Sequence, residues 1–161
     1  MKRLISATFA TVALVVSLSN QAIAQSKSSP VPALLDRLGM TYKQQDGYFL
    51  VLAGVDGGRT QTGFILPEIA KIGDVEYIRV GSVSQISKTP PNAENTKKLQ
   101  QSSFNDSLSK WTTTFTDEMY VTGYFSVVPL KSDSDSARQD IIKILNIADT
   151  AEKDLTGKDE F

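Results

Sequence analysis

Residues Tyr48–Leu66 read YFLVLAGVDGGRTQTGFIL, two β-rich runs separated by Asp56-Gly57-Gly58. The first run, Tyr48–Val55, is rich in aromatic and β-branched residues and too short for a buried helix. The second, Arg59–Leu66, carries Thr at alternate positions before turning apolar, and Pro67 is a natural stop for a central strand. A phosphate-gripping loop would need its glycines to enter a helix, so that free amides point at the anion. Here they enter a strand, and no Gly-Lys-Ser/Thr follows. The stretch therefore predicts a β-hairpin, with glycine supplying the positive φ of the turn. Phe49, Val51, Ala53 and Val55 point one way; Tyr48, Leu50 and Leu52 point the other. Both sets are apolar, so the sheet is expected to have something to cover on each side.

Working outward, Val75–Val83 alternates as a third strand. The connections are too short for parallel crossovers, so the three strands form an antiparallel meander. Thr89-Pro90-Pro91-Asn92 closes this region. Asn92 or Asn95 can cap a helix running through Leu99 to Phe104. Lys110–Thr116 and Met119–Val128 then read as a second hairpin turning at Asp117-Glu118. Downstream of Ser132–Asp135, apolar or small residues recur at Ala137, Ile141, Ile144, Ala148, Ala151 and Leu155, one face of a long helix. Asp133 and Asp135 suit its start and Lys153 its end. On the N-terminal side, Val31, Leu34, Leu35 and Leu38 share a face of a short helix that begins at Pro30-Val31-Pro32 and stops at Gly39. The fold class is α+β: a curved antiparallel sheet of about five strands packed with three helices.

The first 24 residues follow the pattern of a secretory signal peptide. Lys2 and Arg3 open it, Leu4–Leu18 is mostly apolar, and Ala22-Ile23-Ala24 offers the small-residue cleavage site before Gln25. The apolar run is shorter than the roughly 20 residues a bilayer core demands, so no membrane insertion is expected after cleavage. The expected organisation is signal peptide 1–24, flexible lead-in 25–29, one α+β domain at 30–157 and a tail at 158–161. Without Lys2 and Arg3, fifteen bases face eighteen acids, a net charge of −3. That balance argues against a nucleic-acid partner, which demands clustered Lys and Arg. A periplasmic or secreted location, in a Gram-negative bacterium, is the expectation the signal pattern raises.

The chain contains neither His nor Cys. Ser-His-Asp and Cys-His catalysis, thiol redox chemistry and the usual zinc sites are thereby excluded. Carboxylate pairs, Lys or Tyr, and oxygen-ligated metals remain. Asp117 and Glu118 are the obvious paired carboxylates, but neighbours in a hairpin point to different sides. Ser132–Ser136 resembles half of a calcium loop and lacks both the central glycine and the closing glutamate. It reads as a helix cap. The tail Lys158-Asp159-Glu160-Phe161 is similar to a KDEL retrieval signal but ends in Phe. No cofactor and no metal are expected, and the reading is of a non-enzymatic protein. The surplus of aromatic and apolar strand residues points instead to a surface. Phe49, Val51, Phe64, Tyr77, Trp111 and Tyr124 are its candidates, suited to a protein segment or a second copy of the chain.

Leu34-Leu35-Asp36-Arg37-Leu38-Gly39, followed by Tyr42 and Asp46-Gly47-Tyr48, with the helix near Leu99 and the closing amphipathic helix, resembles the YbjN-like group. That group has the fold of the type III secretion chaperones. The resemblance spans about residues 30–155 by pattern. It implies a small α+β sandwich, often a homodimer, that holds an extended protein segment against its sheet or an apolar groove. It implies no catalytic residues. Secretion chaperones act in the cytoplasm whereas this chain carries an export signal, so only the fold and the binding style carry over. Two other readings are a small-molecule binding module or carboxylate/metal-dependent hydrolase, which needs convergent acids in a pocket, and a structural envelope component.

Overall fold

Proline and glycine punctuation sets the first elements. The computed structural model describes residues 29–103 and 107–157; the expected signal peptide, the lead-in up to residue 28, Phe104 and the tail at 158–161 lie outside the described residues. Helix α1 (Val31–Arg37) starts after Pro30 and buries Val31, Leu34 and Leu35. Gly39, at φ +61°, turns the chain away. Strands β1 (Tyr42–Gln45) and β2 (Tyr48–Gly54) pair directly, Gln45 opposite Tyr48, so Asp46-Gly47 is a two-residue turn. Gly47 takes φ +83° there, the conformation such turns require. β1 is an element the sequence reading lacks. Its YKQQ has no apolar alternation, and only the Asp-Gly pair announces the hairpin.

A 3₁₀ turn at Asp56–Gly58 leads into β3 (Thr60–Ile65), paired with β2 from Gly54–Thr60 to Phe49–Ile65. The predicted hairpin is present. Its loop is longer than a two-residue turn and is closed by Val55 N–H donating to Arg59 O at 2.9 Å. Leu66 N–H still donates to Arg79 O at 3.1 Å, but Pro67 has no N–H to continue the ladder. The strand breaks and resumes as β4 (Ala70–Ile72), which pairs with the start of β5 (Val75–Ser87). Helix α2 (Ala93–Gln101) follows, then β6 (Lys110–Thr116), β7 (Met119–Pro129) and helix α3 (Ser134–Thr156).

All pairings are antiparallel, in the order β1-β2-β3-β5-β7-β6 with β4 against β5, giving a seven-stranded sheet where about five were expected. The two surplus strands, β1 and β4, are short, four and three residues. β7 joins the two hairpins by pairing along β5, and a register shift between Val83 and Gln85 marks a β-bulge. The bulge keeps Val83 and Ile86 on one face although they are three residues apart.

Helices α1 and α3 pack on one face. There Ile141, Ile144, Leu145 and Ala148 of α3 meet Phe49, Val51, Ile65, Ile78, Val80 and Tyr124. Gly63 permits the closest approach: a Cβ there would sit 2.9 Å from Leu145 Cδ1. The opposite face carries a second apolar cluster of Tyr48, Phe64, Val83 and Val121, flanked by Leu50, Leu66, Ile86 and Phe125. Its floor is Gly81, over which the Phe64 ring lies. Burial holds the Tyr48 phenol above its ordinary range.

α3 is also tied to the β2–β3 loop by polar contacts. Asn146 Oδ1 accepts from Asp56 N–H at 2.8 Å. Arg59 Nε donates to Asp149 Oδ1 at 2.8 Å, and its second guanidinium N–H group reaches Asp149 Oδ2. The loop that resembles a ligand cradle is a helix anchor.

Candidate functional site

At the far end of the sheet the sequence leaves an edge and a groove. β6 is the last strand, and among the described residues no strand pairs with its outer side. Edge strands are ordinarily blunted by charge, proline, bulges or brevity. The opposite edge, β1, follows that rule with four residues and a polar Lys43-Gln44-Gln45 run. β6 does not. It has seven residues, KWTTTFT, in unbroken register with β7 and with no charge after Lys110.

Alternation puts Trp111, Thr113 and Phe115 on one face of β6. α2 lies beside that face. Its start is fixed by the Asn92 side chain, which accepts from Asn95 N–H at 2.8 Å, and Leu99 is its one buried residue. Apart from Ala93 the rest of the helix is polar and mostly exposed, so Leu99 is its anchor. A groove of about 640 Å³ results, lined by Pro90, Pro91, Leu99, Trp111, Phe115 and Tyr120 among others. Phe115 is 61% exposed, the most exposed of the large apolar residues described. Its ring meets Tyr120 at 4.8 Å between centroids, and Trp111 meets Tyr124 at 4.9 Å. Tyr124 and Tyr120 thus back the aromatic wall, while Phe115 faces water. Trp111 Nε1 is buried without a hydrogen-bond partner among the described residues. Thr113 and Thr122 share a hydroxyl hydrogen bond at 2.9 Å, pinning the middle of the edge strand.

The six residues anticipated as a binding surface do not come together. Phe49, Val51 and Tyr124 lie under the helices, and Phe64 is packed on the other face over Gly81; each is no more than 2% exposed. As interior residues they cannot form a surface. The sheet buries apolar side chains on both faces, so strand aromatics here report core more than surface. Tyr77 is half-buried near the start of β5, opposite Pro129, at the other end of the strand from Ser87 and Tyr120. Only Trp111 belongs to the groove. Phe115, Tyr120, Leu99 and the two prolines complete it. The spacing Trp111-Thr113-Phe115, apolar at alternate positions on a strand otherwise made of threonine, is the signal that could have found them.

Asp117 and Glu118 are exposed and form the β6–β7 turn, both with positive φ (+46° and +62°). They face solvent at a hairpin tip and do not line the groove. Among the described residues there is no cluster of three or more acidic side chains placed to hold a metal ion. Asp133 is a helix cap, its side chain accepting from Ser136 N–H at 2.9 Å. No helix among the described residues is long and apolar enough to cross a membrane.

The molecule is thus an α+β protein with an open antiparallel sheet, helices on one face and, beside an apolar groove, an edge strand left unpaired among the described residues. No protein-family model matches the chain, and no curated protein sequence does. Among solved structures it is similar to YbjN from E. coli, described as a candidate transcription regulator. The two share 13% identity over 74% of this chain and 89% of that one, with a TM-score of 0.38.

Proposed function

We propose that this chain is an exported, non-enzymatic protein that binds an extended segment of another polypeptide along β6, with the segment's apolar side chains in the adjacent groove. The observation that carries the reading is the juxtaposition of the unprotected edge of β6 with the Trp111–Phe115–Tyr120 wall. An extended segment added to an edge satisfies the strand's outward N–H and C=O groups, and pockets for alternate side chains give selectivity. Here the alternate positions face Trp111 and Phe115, so the preferred segment is apolar at every second residue. The signal-like pattern of residues 1–24 supports a periplasmic or secreted site of action.

The test uses the mature chain and synthetic heptapeptides with Val or Leu at alternate positions, against scrambled controls. Binding is followed by calorimetry and by hydrogen exchange of the β6 amides. The alternating peptides should protect those amides, and Phe115→Ala should weaken binding by about tenfold or more, as loss of a central aromatic anchor does. Peptide binding that leaves β6 exchange unchanged and is indifferent to Phe115→Ala would overturn the proposal. Fractionation of cells producing the full chain should place the processed form outside the cytoplasm.

A further inference from the structure

The edge strand complements itself. Written forwards, β6 is Lys110-Trp111-Thr112-Thr113-Thr114-Phe115-Thr116. Laid antiparallel on a second copy with the two-fold axis at Thr113, Trp111 meets Phe115 of the other protomer and Thr112 meets Thr114. Thr113 meets itself, and Lys110 meets Thr116. Both aromatic pairs fall on the groove face, where Phe115 is 61% exposed in the single chain. Aromatic and β-branched cross-strand pairs are the favourable ones in antiparallel sheets. No like charges oppose each other.

The ends of the strand are complementary too. Lys110 is exposed at one end, and Asp117 and Glu118 are exposed in the turn just beyond the other. Antiparallel pairing brings Lys110 beside the acidic turn of the second protomer, twice. Parallel pairing would instead set Lys110 against Lys110 and separate Trp111 from Phe115.

From this we infer that the occupant of the β6 edge is, in the absence of another client, β6 of a second copy, forming a two-fold dimer with one continuous sheet. The inference rests on the edge reading above and names its partner. A seven-residue strand pair with one groove is below the size of a standard permanent interface, so the dimer should be weak, roughly micromolar or weaker. A client segment and the second copy would compete for the same edge.

The test exploits the absence of cysteine from the chain. In the proposed register Thr113 faces its own copy at a Cα separation of about 4.5–5.5 Å, within the range a disulfide spans. Thr116 is about 20 Å from its own copy, six residues off register. Mature protein carrying Thr113→Cys should therefore form a disulfide-linked dimer under mild oxidation at least about tenfold faster than Thr116→Cys, which leaves both aromatic pairs in place. Leu52→Cys, on an exposed apolar position of β2, serves as a control for association through other surfaces. Wild-type sedimentation should show a concentration-dependent dimer weakened by salt and by Lys110→Glu. Crosslinking of Leu52→Cys or Thr116→Cys as fast as Thr113→Cys would overturn the register. A wild-type chain that stays monomeric at hundreds of micromolar, with no Thr113→Cys crosslink, would overturn the dimer. If alternating peptides still protected the β6 amides in that monomer, the edge would remain a binding site and only self-pairing would fall; if they did not, both readings would fall.

Discussion

Replacing Asp149 by alanine tests whether the β2–β3 loop is an anchor for α3. The Asp149 side chain is 3% exposed and receives a two-point contact from Arg59, which is 25% exposed. Removing one partner of a fully buried ion pair costs about 3–5 kcal/mol, because the other charge stays desolvated. A quarter of Arg59 reaches water and can recover some hydration, which lowers the expected loss to about 2–3 kcal/mol. At about 4 °C per kcal/mol for a domain of this size, Tm should fall by about 8–12 °C. Urea denaturation of residues 25–161 followed by far-ultraviolet circular dichroism measures the loss directly. A buried pair is screened little by salt, so the difference should persist in 1 M NaCl. A double-mutant cycle with Arg59→Ala should return a coupling of about 1.5–3 kcal/mol. The reasoning fails if Asp149→Ala costs less than about 0.5 kcal/mol, the level of an exposed pair. It also fails if salt abolishes the difference.

Other consequences concern the sheet, the turn and the helix cap. Gly81→Ala should destabilise by about 2–3 kcal/mol in the same urea assay, since its Cβ would lie 2.4 Å from Phe64 Cζ and 3.0 Å from Phe125 Cδ1. The β6–β7 turn holds two non-glycine residues at positive φ, so Asp117→Asn with Glu118→Gly should raise stability by about 1 kcal/mol, read as a higher Tm. The Asp133 carboxyl is held below its ordinary value near 3.8 by the Ser136 backbone N–H. A carboxyl lowered in the folded state stabilises above its ordinary value, and that contribution disappears as pH falls through the folded one. The stability gap between wild type and Asp133→Ala should therefore be constant near neutrality and shrink below about pH 4. A gap that does not change down to about pH 2 would contradict the cap.

Local chemistry made much of the fold legible. Pro30 and Gly39 bracket α1, Asp56-Gly57-Gly58 turns the hairpin, and the apolar repeat from Ala137 to Ala151 fixes α3. These signals depend on residues a few positions apart, and the physics that reads them is equally short in range. β1 and β4 escaped because four and three residues are too few to show a strand pattern; β2 and β5 supply their hydrogen-bond partners.

The groove was legible only in part, for the same reason. Periodicity says that Trp111, Thr113 and Phe115 share a face, but not whether that face is core or water. That depended on where α2 came to rest, and its single buried residue, Leu99, is a weak guide. Phe49 and Phe115 are alike as strand phenylalanines, yet one is 2% and the other 61% exposed. The sequence by itself determined the three helices and the five longer strands, the α+β class and the absence of histidine and thiol chemistry. Only the tertiary structure decided strand order, the Arg59–Asp149 anchor across ninety residues and which edge lies open. Burial and pairing are properties of neighbours distant in the chain, and no local pattern encodes which neighbour arrives.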